Sequence, residues 1–268
     1  MWMSIQEPYL LTVRQDDFFP NPRREDENFG TMICFHRRYQ LGDEHEYFSS
    51  DDLLEELFIN ASGGGDKGKQ KYDNFVDSFD LHPGTMVKIQ AYNRALMAEI
   101  EKAYVVLPVY LLDHSGLSVS THSFNDPWDS GQTGIIFASL DKIREEYGVK
   151  TVTPEIRHKA EDLLRGEVEQ YDAYLNGECY GYELYKNGEV VDSCWGFSGA
   201  FDKACADIAE YLPDGCRGMI KDLSEVNDAP SVIQTLMKHA RIQVAQAEND
   251  CKYHNCTKEF DAILNEIQ

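Results

Sequence analysis

The spacing of apolar residues along the chain predicts helices mixed with short strands. The helical segments carry apolar positions three to four residues apart, and two of them begin with a capping signal, Ser139 and the Thr153-Pro154 pair. The strand-like segments are short runs rich in Val, Ile, Leu and Tyr. Predicted helices cover 51–58, 72–79, 85–102, 141–147, 154–175 and 200–211, with two more after 231; predicted strands cover 9–13, 31–36, 104–112, 134–139, 180–186 and 189–195.

One β-hairpin is expected near 178–195. The dipeptide Asn187-Gly188 favours a two-residue turn between antiparallel strands, and it separates two strand-like segments. The helices and strands do not alternate with the regular rhythm of βαβ units. The predicted fold class is therefore α+β, with a mixed or antiparallel sheet, several packed helices and a helical C-terminus.

The Gly-rich segment 61–70 (ASGGGDKGKQ) is the clearest predicted linker. It divides an irregular N-terminal α/β segment, 1–60, from a main α+β domain, 71–216; a helical segment, 217–268, follows, and all three could form one domain. Residues 63–70 also match the phosphate-loop spacing G-x-x-x-x-G-K. Gln70, however, stands where Ser or Thr would contact magnesium, and a helix precedes the segment, so a flexible surface loop is expected.

The charge of the chain is strongly negative. It has 47 Asp and Glu against 25 Lys and Arg, a formal net charge of −22 and a pI near 4.6. Such a surface repels nucleic acid and anionic membranes, because phosphate contacts require Lys and Arg. A basic protein partner is expected instead, although net charge also serves solubility alone.

The cysteines and the apolar runs indicate a cytoplasmic protein. Seven Cys are irregularly spaced, and the N-terminal residues lack the features of a secretory signal, so reduced thiols are expected. The longest apolar run, 103–112, is too short to cross a bilayer and contains Pro108.

The acidic residues are densest between 161 and 215, a segment that contains 13 acidic and three basic residues. A negative ridge on the 154–175 helix and the following hairpin could imitate a DNA duplex, which carries one charge per about 1.7 Å of axis. The alternative is an ordinary solvated face. The predicted partner-binding residues are Glu161, Glu169, Asp172, Glu183, Glu189 and Asp192.

A second candidate site lies on the polar connection 113–131. It carries two imidazoles and three carboxylates, which could bind a divalent metal or transfer protons. Turn formation explains the same residue types equally well. The candidate residues are Asp113, His114 and His122 for catalysis, and Asp126 and Asp129 as metal ligands.

Weaker candidates are each explained by packing or surface exposure. Cys34, His36 and His45, near Asp43, could be ligands, and Arg37-Arg38 could meet an anion. Cys251, His254 and Cys256 lack a fourth zinc ligand, and Cys194 lacks a recognisable base.

Three segments carry a resemblance to other proteins: NFGTMICFHRRYQLGD (28–43), PVYLLDHSGLSVSTHSFNDPWDSGQTGIIFASLDKIREEYG (108–148) and DSCWGFSG (192–199). In these segments the chain resembles a group of uncharacterised bacteriophage and mobile-element proteins. The resemblance transfers no functional residue, and it implies an accessory protein acting in the cytoplasm of a bacterial host. The acidity is also similar to that of DNA-mimic inhibitors of restriction and CRISPR systems.

The leading hypothesis is an acidic accessory protein, more a binding protein than an enzyme. It would bind and inhibit a basic, nucleic-acid-handling host protein, as anti-CRISPR and anti-restriction proteins do, and would need no cofactor. The alternative is a metal- or ligand-dependent enzyme with its site on the 113–131 loop. A structural accessory of a phage particle is a third possibility.

Overall fold

The computed structural model describes residues 1–25, 27–79 and 86–227, with scattered positions between 231 and 245. Helices and antiparallel sheets together confirm the predicted α+β class. The chain forms two compact units: Pro20–Asn176, called the central unit here, and Met1–Phe19 with the chain from Gly177 onward, called the terminal unit. The limits of these units differ from those of the predicted segments 1–60, 71–216 and 217–268. The helices predicted after residue 231 lie largely outside the described residues.

The elements alternate irregularly along the chain. The strands are β1 Trp2–Gln6, β2 Tyr9–Gln15, β3 Thr31–Cys34, β4 Tyr104–Asp113, β5 Leu117–Ser120, β6 Ser130–Ser139, β7 Cys179–Lys186, β8 Glu189–Ser198 and β9 Ser224–Glu225. The helices are α1 Pro22–Glu25, α2 Ser50–Ala61, α3 Gly65–Asp77, α4 Met86–Ile100, α5 Leu140–Glu146, α6 Pro154–Leu175 and α7 Phe201–Tyr211, with a 3-10 helix over Arg217–Asp222.

The terminal unit is built on a five-stranded antiparallel sheet in the order β8-β7-β2-β1-β9. The predicted hairpin is confirmed as β7–β8, and its turn places Asn187 and Gly188 at φ values of 54° and 80°, in the left-handed region. Helix α7 packs on one face of the sheet. Leu11, Tyr182 and Ile208 are among the fully buried residues of this core.

The central unit is built on a four-stranded antiparallel sheet in the order β3-β6-β4-β5. Helix α6 covers one face, where Ile136 packs in the same core as Leu164. Helices α2 and α4 cover the other face, where Ile135 packs with Leu53 and Ile100. Because both faces of β6 are covered, its apolar residues form a continuous run instead of alternating with polar ones.

The prediction of a flexible linker at 61–70 is wrong. Helix α3 begins at Gly65 and packs against α2, with the Phe58 ring 5.4 Å from Tyr72 and 5.0 Å from Phe75. A β-carbon on Gly68 would lie 2.3 Å from the Ile59 carbonyl oxygen, so this glycine permits the close approach of the two helices. The phosphate-loop spacing therefore lies in a helical hairpin and does not follow a strand.

The polar connection 113–131 also differs from the expected long loop, since β5 lies within it. Val119 on this strand is buried against α6. This burial explains why the apolar residues Leu117 and Val119 occur within an otherwise polar segment. Within the described part of the chain, no helix has the length and apolarity needed to span a membrane.

Candidate functional site

The six predicted partner-binding carboxylates fall into two groups of three. Glu161, Glu169 and Asp172 lie on α6 in the central unit. The other three, Glu183, Glu189 and Asp192, lie on the β7–β8 hairpin in the terminal unit.

Two of the three α6 carboxylates are held by neighbours within the central unit. Glu161 pairs with Arg165 at 3.4 Å. Asp172 accepts hydrogen bonds from the Ser118 hydroxyl at 2.8 Å and from the Val119 amide at 2.7 Å, and so fixes β5 to the helix.

Two of the three hairpin carboxylates are also engaged. Glu183 lies 3.5 Å from Arg14 and accepts a hydrogen bond from the Tyr185 hydroxyl at 2.8 Å. Asp192 accepts one from the Tyr182 hydroxyl at 2.9 Å, and burial together with this bond raises the pKa of Tyr182.

Two of the six carboxylates are exposed and have no side-chain partner in the part of the chain that the structure describes. Glu169 and Glu189 make no ion pair or hydrogen bond through their side chains with any described residue. The sequence suggests a negative ridge along α6. In the structure, the carboxylates of this helix are largely compensated by ion pairs such as Glu155–Lys159 and Asp162–Arg165.

The 113–131 connection brings three potential metal ligands together. The His114 Nδ1 lies 2.7 Å from Asp129 Oδ2, and Asp126 is adjacent. One nitrogen or oxygen atom from each of the three lies within 4.8 Å of the others. The His122 ring is not in this group; its Nδ1 contacts the Thr121 hydroxyl at 3.3 Å.

The cluster is positioned by a tight turn. The Asp126 carboxylate accepts hydrogen bonds from the backbone amides of Trp128 at 2.9 Å and Asp129 at 3.0 Å. These bonds, first that from Asp129 and then that from Trp128, lower the pKa of Asp126. The hydrogen bond to Asp129, and then its charge, raises the pKa of His114. Above that raised pKa the imidazole is neutral and able to bind a metal beside two carboxylates.

A groove of about 340 Å³, called the polar groove here, adjoins this cluster. Residues 128–133 and Asp113 form one wall, and the turn 35–38 forms the other. An ion pair between Arg38 and Asp113 joins the two walls. The polar groove thus unites two sequence candidates that were considered separately, Arg37-Arg38 and the 113–131 connection.

Strand pairing explains this convergence. In the antiparallel order β3-β6-β4, the end of β3, the start of β6 and the end of β4 lie at the same edge of the sheet. The sequence offered no local signal for this, because residues 35–38 and 128–133 are far apart along the chain.

The residues Cys34, His36 and His45 line a second cavity of about 630 Å³, which shares the segment 35–37 with the polar groove. The His45 Nε2 donates to the Cys34 carbonyl oxygen at 3.0 Å, and its buried Nδ1 has no partner among the described residues. Burial raises the pKa of Cys34 to about 12, so this thiol does not ionise at neutral pH. The three side chains do not converge as ligands within the described structure.

Among the described residues, the other cysteine candidates join no cluster of potential metal ligands. Cys194 is partly buried and lines a separate cavity of about 380 Å³ beside Trp195 and Lys203. The expected ligands Cys251, His254 and Cys256 lie outside the described residues.

Comparison with protein-family models, curated proteins and solved structures finds no match for this chain. The functional assignment therefore depends on the geometry of the polar groove and on the charge of the chain.

Proposed function

We propose that the protein binds a small polar ligand in the polar groove, with a divalent metal ion held by His114, Asp126 and Asp129. The convergence of these three ligand atoms within 4.8 Å supports the proposal. A mixed imidazole and carboxylate set suits first-row metals such as Zn²⁺ and Mn²⁺ better than Ca²⁺. Three protein ligands leave coordination positions open, as in catalytic metal sites, where the metal activates bound water or polarises a substrate.

Metal binding is expected to depend on His114 and on pH. After EDTA treatment and its removal, calorimetric titration with Zn²⁺ or Mn²⁺ should show one site per chain. The variants His114→Ala and Asp129→Asn should weaken metal binding by at least about 10–100-fold. Removing a residue that only hydrogen-bonds to a metal ligand already lowers metal affinity by that factor, so removing a ligand itself should cost no less. Affinity should rise with pH through the raised pKa of His114, because only neutral imidazole binds the metal.

The matched control is His122→Ala, which removes an exposed imidazole from the same connection without touching the cluster. This variant should bind the metal as the wild type does. Equal losses of metal affinity in His114→Ala and His122→Ala would indicate that the metal binds at dispersed surface positions and would contradict the proposal.

A second proposed function is the inhibition of a basic, nucleic-acid-handling host protein by an acidic, phage-type accessory protein in the bacterial cytoplasm. The net charge of −22 supports it, because a negative surface accelerates encounter with a basic partner. Of the six predicted carboxylates, Glu169 and Glu189 are the best candidates for this contact, because they have no side-chain partner among the described residues. Carboxylates such as Asp172 already have partners and are less available for an interface.

A salt-dependent interaction is expected if this second function is correct. Tagged protein in a bacterial lysate should retain a basic partner at low salt and release it as salt rises, since salt screens exposed charges. Glu169→Lys or Glu189→Lys should weaken the complex by roughly two- to tenfold, whereas Glu155→Gln, on the same helix as Glu169, should have little effect. A salt-resistant complex, or retention of no nucleic-acid-handling protein, would count against it.

A further inference from the structure

We infer that the turn 36–38 binds the phosphate of a mononucleotide whose base stacks on Trp128 across the polar groove. The inference deepens the proposed ligand-binding function by naming the ligand class. It requires the polar groove but not the metal ion, so the two can fail separately.

The first argument is the free charge in the polar groove. The carboxylates that line it are both engaged, Asp113 with Arg38 and Asp129 with His114. Arg37 is exposed and forms no ion pair or hydrogen bond with any residue that the structure describes. The charged group in the groove that has no partner among the described residues is therefore a guanidinium, which recognises phosphate through two parallel hydrogen bonds.

The second argument is the rigidity of the turn that presents Arg37. The His36 ring stacks on Tyr39 with centroids 5.0 Å apart and planes 5° from parallel. The guanidinium of Arg38 lies 5.4 Å from the same Tyr39 ring. A turn that is already ordered loses less conformational entropy when a ligand binds.

The hydrogen bonding of His36 adds a second donor. Its Nδ1 accepts from the backbone amides of Arg38 at 3.4 Å and Tyr39 at 3.3 Å. A neutral imidazole that accepts at Nδ1 carries its proton on Nε2, which is then available to donate. Arg37 and His36 together offer a cationic and a neutral donor to an anion.

The third argument is the exposed indole on the opposite wall. Trp128 is 92% exposed, although its turn is held by the Asp126 carboxylate. An exposed aromatic ring that lines the same groove as a cationic group provides a stacking surface for a nucleobase. The groove volume of about 340 Å³ lies within the roughly 300–1,000 Å³ range of small-ligand sites.

The net charge of the protein favours the binding of a mononucleotide over that of a nucleic-acid strand. A chain of net charge −22 repels a polyanion at every phosphate that lies outside the groove. A single nucleotide places one phosphate at Arg37 and exposes little further negative charge to the acidic surface.

The test is calorimetric titration of the full chain, in EDTA, with each of the four common ribonucleoside monophosphates, their nucleosides, inorganic phosphate and a short single-stranded oligonucleotide. At least one monophosphate should bind more tightly than both its nucleoside and phosphate. Arg37→Gln should weaken that binding by about 10–100-fold, the loss expected for hydrogen bonds to a charged group, and leave nucleoside binding unchanged. Trp128→Ala should weaken the binding of both the nucleotide and the nucleoside.

Two controls make the result specific. Lys203→Gln removes an exposed cation in the terminal unit and should leave binding unchanged. His122→Ala removes an exposed imidazole outside the His114 cluster and should also leave binding unchanged. Because the titration is made in EDTA, nucleotide binding is measured separately from the metal site. All variants are surface changes, and an unchanged thermal unfolding midpoint verifies that each is folded.

Three results would overturn the inference. The first is the absence of binding by all four monophosphates at millimolar concentration. The second is undiminished binding by Arg37→Gln. The third is tighter binding of the oligonucleotide than of any monophosphate, which would assign the polar groove to a nucleic-acid strand.

Discussion

Replacing Arg23 by Met is expected to lower the free energy of unfolding by about 3–5 kcal/mol, the cost of breaking a buried ion pair. The Arg23 side chain is 0% exposed. Its Nε and Nη2 donate to the two carboxylate oxygens of Asp43, both at 2.8 Å, and its Nη1 donates to Glu167 at 3.0 Å. The remaining donors bind the Asn28 side chain and the Gly30 carbonyl oxygen, both at 2.8 Å, so all five N–H groups are used.

The large effect follows from the carboxylates that would remain. Asp43 also accepts from the Met32 amide at 2.8 Å, and Glu167 accepts from the amides of Phe29 and Gly30. Without Arg23, two poorly solvated negative charges would lie close together. The same network holds Asp43 at the end of the 35–42 segment, so its loss should also loosen the wall of the polar groove.

Arg24→Met is the matched control for Arg23→Met. Arg24 belongs to the same short helix, but its partner Glu44 is 3.6 Å away and 81% exposed. An exposed pair of this kind contributes about 0–1 kcal/mol. Urea unfolding of both variants tests the difference, and similar losses in the two would show that the buried network is not the cause.

Gly134→Ala is expected to destabilise the protein by about 1–3 kcal/mol, towards the upper end, through overpacking. A β-carbon at Gly134 would lie 2.0 Å from the Ile33 carbonyl oxygen and 2.8 Å from the Cys34 Cα. Both obstacles are backbone atoms of β3, so rotation of a side chain does not relieve the clash. Strand β3 must move away from β6, and β3 leads directly into the turn that carries Arg37.

Gly131→Ala provides the comparison in the same strand. No heavy atom lies within 4 Å of a β-carbon built there, so the change should stay within about 0.5 kcal/mol of the wild type. Thermal and urea unfolding should therefore separate the two alanine variants. Equal stability would mean that β3 and β6 adapt easily, contrary to the close strand approach described here.

Local sequence signals predicted the elements whose ends depend on neighbouring residues. Helix α6 begins after Thr153, whose hydroxyl accepts from the Ile156 amide, with Pro154 in its first turn, and it ends at Leu175 as expected. The hairpin turn at Asn187-Gly188 is likewise a local preference for left-handed backbone. These interactions span only a few residues, so sequence patterns report them directly.

Predictions failed where a distant contact overrode local composition. Glycine-rich sequence indicated a loop at 61–70, yet the approach of α2 at Gly68 favours a helix. Polar turn residues around 113–131 concealed β5, because Val119 becomes a core residue only when α6 covers it. In both cases the stabilising contact is supplied by another element.

The sequence by itself determined the α+β class, the main helices and the hairpin, and the net charge of −22. Only the tertiary structure decided which charges are free and which residues meet. Arg23 pairs with Glu167 across 144 positions, and Arg38 with Asp113 across 75. Such pairs depend on strand order and helix packing, so neither the buried ion network nor the polar groove is visible until the chain has folded.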